Sequence, residues 1–415
     1  MPGLGAVATT TIAGVHLVRK GLSRPIGSLT QMGSLQVAGR NLPIKECVPL
    51  AELEQLEFGG WDLFPDDGYE AARKAAVLEQ RDLEQVREEL QRVRPMSAAF
   101  YPDYVRRLSG PNVKRAESKA EMVEQLRDDI RRFMRTRECS RAVAVWCGST
   151  EVFQKPTPVH GSVEAFERGL MRDDEGISNA QLYAWAAMKE GVPFANGAPH
   201  LGCDFPAAWE LSRKLGVPIA GNDFKTGQTL LKTALAPALR SRQLGVRGWF
   251  STNILGNRDG EVLDDPQSFR TKEKSKLGAL ETILDAEQSP ELYGDMTHKV
   301  RIEYYPPRGD AKEAWDNIDL FGWLGYSMQL KINFLCRDSI LAAPVVLDLA
   351  LLLDLAQRAG LAGRQDWLGY YFKAPMCSGS RQVHDLFEQE AVLTSTLRDI
   401  MGAPSLELEA ETALQ

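Results

Sequence analysis

Between Arg141 and Asp223 short apolar runs alternate with amphipathic ones. Residues 142–147 form an apolar run that ends in Gly148-Ser149-Thr150-Glu151. Ser178 to Lys189 has helical spacing, with Ser178 placed as N-cap. Val192 to Ala195 reads as a strand ending in Asn196-Gly197-Ala198-Pro199. Phe205 to Leu215 reads as a helix, and Val217 to Ala220 as a strand ending in Gly221-Asn222-Asp223. This alternation predicts βαβ units on a parallel sheet. Ligands of such sheets bind beyond the carboxyl ends of the strands, so these glycine-, asparagine- and serine-bearing loops should line one crevice.

Two stretches upstream, Asp67 to Val93 and Ala116 to Arg137, carry the pattern of amphipathic surface helices whose charges face solvent. From Val246 to Leu335 aromatic and β-branched residues mix with little helix between them, which predicts an antiparallel sheet inserted into the α/β chain. A polar loop and short helix, Asp259 to Lys276, sits inside it. The most apolar stretch, Ser339 to Ala356, contains Asp348 and Asp354 and reads as a buried helix rather than a membrane span.

The chain opens MPGLGAVA, in which Gly3-x-Gly5-x-x-Ala8 matches the glycine turn of dinucleotide-binding folds. A turn capping any helix is the plainer reading of that motif alone. A central strand normally precedes the first glycine, and here only Met1 and Pro2 do. The expectation is therefore that Met1 is an internal start, that the sheet lacks that strand and that a dinucleotide is held poorly.

Composition narrows the function classes. With 415 residues the chain has room for two or three domains, and 44% hydrophobic with 25% charged residues is ordinary for a globular protein. A net charge of −7 gives no global attraction to nucleic acid or an anionic membrane, while a local basic pocket for a small phosphate stays open. Six cysteines without CxxC spacing and five histidines without HExxH argue against a disulfide framework and a histidine-rich zinc site. Free thiols, and no basic segment followed by an apolar run at the start, point to a cytoplasmic protein.

The polar motifs are weak singly. Gly221 to Thr229 leads into a helix, and its N–H groups with the hydroxyls of Thr226 and Thr229 suit an anion, although a capped helix explains it as well. Asn253 to Gly260 is a glycine loop after a strand. Lys272 and Lys276 lie one helical turn apart with Lys274 pointing elsewhere, as on any solvated lysine face. Lys312 follows Asp310, Lys373 precedes Ala374-Pro375, and Asp338-Ser339 opens the apolar helix.

Taken in order, these blocks resemble the inositol-3-phosphate synthase family from the first glycines to about Pro375. The blocks are GWD at 60–62, NG-x-P at 196–199, DFKTGQT at 223–229, NILGNRDG at 253–260, FRTKEKSK at 269–276, GDAK at 309–312, CRDS at 336–339 and KAP at 373–375. The family typically carries serine at 226, asparagine at 258 and often serine at 198. This chain has Thr226, Arg258 and Ala198, and its insert after 260 and its C-terminal tail look short.

The resemblance implies an α/β fold in which a Rossmann-like NAD-binding domain (1–228 and 338–415) carries an inserted α+β catalytic and oligomerisation domain (229–337). It implies a homotetramer that turns D-glucose 6-phosphate into 1D-myo-inositol 3-phosphate by oxidation at C5, enolisation, aldol closure and re-reduction. Lys272 and Lys373 would face the C5 oxygen, Lys312 and Lys276 the aldehyde-derived oxyanion or phosphate, and Asp223 and Asp338 would order the lysines. Thr226, Gly227, Gln228, Thr229, Asn253, Leu255 and Asp310 would hold the sugar phosphate. Gly3, Leu4, Gly5, Ala6, Val7, Asp62, Gly148, Ser149, Thr150, Gly197, Ala198, Asp223, Asp259 and Ser339 would lie along NAD. Cyclisation of another sugar phosphate such as fructose 6-phosphate, net dehydrogenation and phosphosugar binding without catalysis stay open, as does any metal.

Overall fold

The computed structural model of the protein describes residues 1–263, 278–379 and 382–402. A short antiparallel hairpin, β1 (Ser34–Val37) and β2 (Arg40–Pro43), flanks two parallel units. One is the pair β3 (Trp61–Asp62) and β4 (Met96–Ser97). The other contains β5 (Ala144–Trp146), β6 (Phe194–Asn196), β7 (Pro218–Gly221) and β12 (Gly363–Arg364), in the order β12-β7-β6-β5. The first residues join the two units. Pro2 bridges Trp61 in parallel, Gly3 N donates to Trp61 O at 2.8 Å, and Cys147 N donates to Pro2 O at 2.9 Å. No full strand precedes Gly3, yet Met1 to Gly3 hold that place in the ladder.

Helix α1 (Ala6–Arg19) follows the glycine turn and buries Ala8, Ile12 and Ala13. The single helix expected over 67–93 is broken into α2 (Gly68–Ala75) and two shorter pieces, Gln80–Gln85 and Arg87–Gln91. Asp67 caps α2 by accepting from Tyr69 N and Glu70 N, and Ala76 ends it in the left-handed region at φ 53°. The break turns Leu83, Val86 and Leu90 back onto Ile12 and Leu17 of α1, which a straight rod would carry past it. Helices α3 (Lys119–Thr136), α4 (Asn179–Lys189) and α5 (Pro206–Lys214) agree with the sequence reading. Nearly all of α4 is buried under the parallel sheet, and Gln181 closes its first turn by accepting from Ser178 N at 3.2 Å.

Helix α6 (Gly227–Ser241) leads into the inserted sheet of β8 (Gly245–Leu255), β9 (Thr297–Tyr304), β10 (Ala311–Phe321) and β11 (Ser327–Arg337), ordered β11-β10-β8-β9. Here the antiparallel expectation needs correction, because β8 and β9 pair in parallel. The long connection between them brings the chain back to the starting end of β8, as a parallel neighbour requires.

Helix α7 (Asp338–Arg358) is long and apolar enough to cross a membrane, but 67% of its apolar window is buried inside the fold. Its Asp348 accepts from the Ser28 and Thr30 hydroxyls and from Tyr371 Oη, and Asp354 pairs with Arg141 at 2.6 Å and Arg358 at 3.0 Å. Helix α8 (Leu386–Met401) packs Leu393, Leu397 and Ile400 into the same core. Each such fully buried leucine or isoleucine contributes roughly 1.5–3 kcal/mol.

Candidate active site

Beyond the carboxyl ends of β3, β5, β6 and β7 lies a cavity of about 930 Å³. The turn at 3–5 forms one end. Gly3 has φ 85°, and a Cβ there would fall 2.5 Å from Gly148 Cα, so only glycine permits this approach. Gly5 differs: a Cβ there meets nothing within 4 Å. Gly5 is also the N-cap of α1, with no side-chain cap and no acidic residue in the first turn. The open N–H groups and helix dipole therefore point into empty space, a fit for a pyrophosphate. Asp62 secures the turn, with Leu4 N donating to Oδ2 at 2.8 Å and Phe64 N to Oδ1 at 3.0 Å. At Gly197 a Cβ would stand 2.2 Å from the Phe224 ring and 2.4 Å from Trp146 O. These features fit a dinucleotide lying across the strand ends.

The opposite end is built by two segments that meet far from each other in sequence. Residues 222–225 pair with 371–374: Asn222 N donates to Ala374 O at 2.8 Å, Lys373 N to Asp223 O at 2.7 Å, and Lys225 N to Tyr371 O at 2.8 Å. Asp223 takes the left-handed region at φ 65°, which aspartate tolerates better than most residues. The ladder sets Lys373 Nζ 3.2 Å from Asp223 Oδ1, both side chains buried, across 150 residues of sequence.

A second pair lies beside it. Lys312 at the start of β10 donates to Asp338 Oδ2 at 2.6 Å where β11 passes into α7. Asp310 Oδ1 accepts from Ser339 Oγ at 3.0 Å and from Asn257 Nδ2 at 3.4 Å, and burial raises its carboxyl above the ordinary range. Arg337 Nε stands 3.7 Å from its other oxygen. Helix α6 points its start at this cluster: its N-cap Thr226 makes no side-chain cap, and no acid occupies its first turn. A Cβ at Gly227 (φ 55°) would lie 3.3 Å from Asp338 Oδ1 and 3.9 Å from Lys312 Nζ. The site thus has two open helix starts, one beside a glycine turn and one beside two lysine–aspartate pairs, of which Lys373–Asp223 is buried and Lys312–Asp338 half-buried.

Of the residues anticipated from sequence, Gly3, Leu4, Gly5, Ala6, Val7, Asp62, Gly148, Ser149, Thr150, Gly197, Ala198, Asp223, Thr226, Asp310, Asp338, Ser339 and Lys373 all line the cavity. Lys312 and Gly227 adjoin it. Gln228 is placed differently. Its Nε2 donates to Thr252 O, Trp315 O and Asp316 Oδ2, and its Oε1 accepts from Asn253 Nδ2, so both side chains brace α6 against the inserted sheet. Gln228 is left with its main-chain N–H for a ligand. Thr229 and Leu255 are buried, Leu255 where a Cβ on Gly260 would touch it. Asp259 lies in the helix Arg258–Leu263, and Lys272, Lys274 and Lys276 lie outside the described residues. Asn257 and Arg337 line the cavity without having been singled out, although both sat inside recognised blocks. Among the described residues no three His, Cys, Asp or Glu side chains group as metal ligands.

Comparison with known proteins bears on this geometry. A family model described as myo-inositol-1-phosphate synthase matches residues 1–398. The chain is 54% identical over 401 residues to inositol-3-phosphate synthase 1 of Bacteroides thetaiotaomicron, covering 96% of this chain and 94% of that protein. It is 32% identical over 431 residues to inositol-3-phosphate synthase 1 of Oryza sativa subsp. japonica, with 96% and 84% covered. The crystal structure of inositol-3-phosphate synthase from Caenorhabditis elegans matches with a TM-score of 0.89 at 25% identity, covering 97% of this chain and 84% of that one. A myo-inositol-1-phosphate synthase-related protein from Thermotoga maritima shares the fold with a TM-score of 0.75 at 20% identity, over 95% and 97% of the two chains.

Proposed function

The chain belongs to the myo-inositol-1-phosphate synthase family, and from that premise we propose which of its residues carry each part of the reaction. The enzyme converts D-glucose 6-phosphate to 1D-myo-inositol 3-phosphate by oxidation at C5, enolisation, attack of C6 on the C1 aldehyde and re-reduction. Bound NAD supplies a hydride acceptor that becomes the donor at the end, so no net redox change occurs.

The turn at 3–7 and the start of α1 hold the pyrophosphate, with Asp62 keeping the turn in shape. Lys373, oriented by Asp223, stabilises the C5 oxygen as it passes between alcohol and ketone. Lys312, oriented by Asp338, does the same for the oxygen that develops charge when C6 attacks C1. Fixed cations in a site closed to water are the largest expected source of rate. The main-chain N–H groups at the start of α6 and the Thr226 hydroxyl take the phosphate. Lys272 and Lys276 complete the set of cations by resemblance.

The same reading assigns the NAD domain to 1–228 and 338–415 and the catalytic and assembly domain to 229–337. It makes the enzyme a cytoplasmic homotetramer. Support for assembly comes from the β10–β11 turn, where Trp323, Leu324 and Tyr326 are 86%, 77% and 73% exposed.

The observation that carries the reading is the placement of two lysine–aspartate pairs, one buried at 3.2 Å and one half-buried at 2.6 Å, across one cavity from an uncapped glycine turn. The test is incubation with glucose 6-phosphate and catalytic NAD, followed by product identification. Many turnovers of inositol phosphate per NAD are expected. NADH absorbance growing in step with product would refute the closed cycle.

A further inference from the structure

Lys225 stands between Asp223 and Thr226, yet its side chain leaves the cavity. It is 5% exposed, its Nζ donates to Gln389 Oε1 on α8, and it lies 5.8 Å from the Tyr370 ring centroid. Gln389 is fully engaged. Its Nε2 donates to Gly369 O at 3.0 Å and to Val383 O at 2.7 Å. One amide thus ties together the loop after β7, the segment before Lys373 and the entry to α8.

These contacts sit at one end of the ladder that builds the site. Lys225 N bonds Tyr371 O, Phe224 bridges Phe372, and Lys373 N bonds Asp223 O. The register of that ladder decides where Lys373 Nζ meets Asp223. A slip at the Lys225 end is passed along two residues to the reacting end. We infer that Lys225 and Gln389 are positioning residues for Lys373, acting as a clasp between α8 and the paired segments 222–225 and 371–374.

Stability alone does not account for the clasp. A buried ammonium facing an amide oxygen is costly, and an apolar side chain of similar length would pack without that cost. Burial pushes the Lys225 amine down to about 7, a measure of how poorly the site repays its charge. What the arrangement supplies is a single directional contact that fixes one register.

The inference rests on the assignment of Lys373 to the C5 oxygen. The test compares Lys225→Met, Gln389→Leu, Gln389→Glu and Lys373→Ala in the full chain, by steady-state kinetics, NAD fluorescence titration and thermal melts. Lys225→Met and Gln389→Leu are each expected to lower kcat roughly 10-fold, the scale of a sub-ångström misplacement, with KM for glucose 6-phosphate and NAD affinity within about twofold. Gln389→Glu keeps the acceptor for Lys225 but sets an oxygen against the carbonyls of Gly369 and Val383, so it should lower kcat about as far as Gln389→Leu. Adding Lys225→Met to Lys373→Ala should cost nothing further, because both act on the same step. Wild-type kcat in Lys225→Met, a loss that only follows the unfolded fraction, or a fully multiplicative loss with Lys373→Ala would overturn the clasp. An inactive Lys373→Ala beside a normal Lys225→Met sinks the clasp alone. A fully active Lys373→Ala sinks the assignment of Lys373 and the clasp with it.

Discussion

Gly227→Ala isolates the geometry between α6 and the Lys312–Asp338 pair. Gly227 has φ 55°, where an L-residue costs roughly 1–2 kcal/mol. Against a total stability of roughly 5–15 kcal/mol the variant should fold, melting a few degrees lower. The new methyl would stand 3.3 Å from Asp338 Oδ1, tighter than ordinary contact, and 3.9 Å from Lys312 Nζ. Asp338 must give by a few tenths of an ångström, and its 2.6 Å bond to Lys312 must tilt with it. The methyl also intrudes beside the N–H groups assigned to the phosphate. Since a misplacement of about 1 Å costs about 10²-fold, this smaller shift should lower kcat/KM for glucose 6-phosphate roughly 10-fold, in kcat where Lys312 tilts and in KM where the phosphate is crowded. Inositol phosphate formation, NAD fluorescence titration and a thermal melt together read the outcome. NAD affinity should hold, because the turn at 3–5 is at the other end of the cavity. Wild-type kcat/KM, or a parallel fall in NAD affinity, would refute the placement of the phosphate at α6.

The mirror experiment is Gly5→Ala, whose methyl meets no protein atom within 4 Å. Stability should be unchanged while NAD affinity falls at least about 10-fold, read by titration of the folded apoenzyme. Lys373→Ala should lower kcat roughly 10²-fold with NAD affinity kept, as for loss of one oxyanion donor. His298 gives a pH test, because burial, then Lys232 at 2.8 Å, lowers its imidazole from 6.5 to about 3. Between those values the unfolded chain binds the extra proton, so stability is full above about pH 6.5 and falls as pH drops. His298 should account for about 1–2 kcal/mol of the loss by pH 5. His16 and His384, each lowered by burial to about 4, add to that loss. His298→Gln should therefore reduce the slope without abolishing it in urea melts at about pH 5 and 7.5.

Much of the parallel unit was legible because each strand is a short apolar run closed by glycine or asparagine, as at Gly148, Gly197 and Gly221. The direction of β9 was not, since alternation looks the same in either sense and the deciding crossover lies in the 256–296 connection. The break at Ala76 was hidden by periodicity that continues through it, and only packing on α1 bends the chain there. Cavity-lining residues at strand ends were found from their type and position. Orientation within a motif was not: Gln228 turns to Asp316 and Lys225 to Gln389, while Thr226 between them faces the cavity. The meeting of Asp223 with Lys373 rests on tertiary pairing that no local pattern records; the resemblance implied only that Asp223 and Asp338 would order the lysines.

That pairing has a consequence for the order in which the protein is made. The glycine turn, α1 and α6 are all synthesised before residue 242, and Lys312 and Asp338 follow. Lys373 and the helix that seals the core behind it come near the end. A nascent chain halted at residue 370 carries the glycine turn and the start of α6, but it lacks Lys373 and with it the bond that Lys373 makes to Asp223. Domains fold as units during synthesis, and the strands under the glycine turn share their core with 342–356 and 393–400, so on the ribosome both halves of the site wait for the last helices.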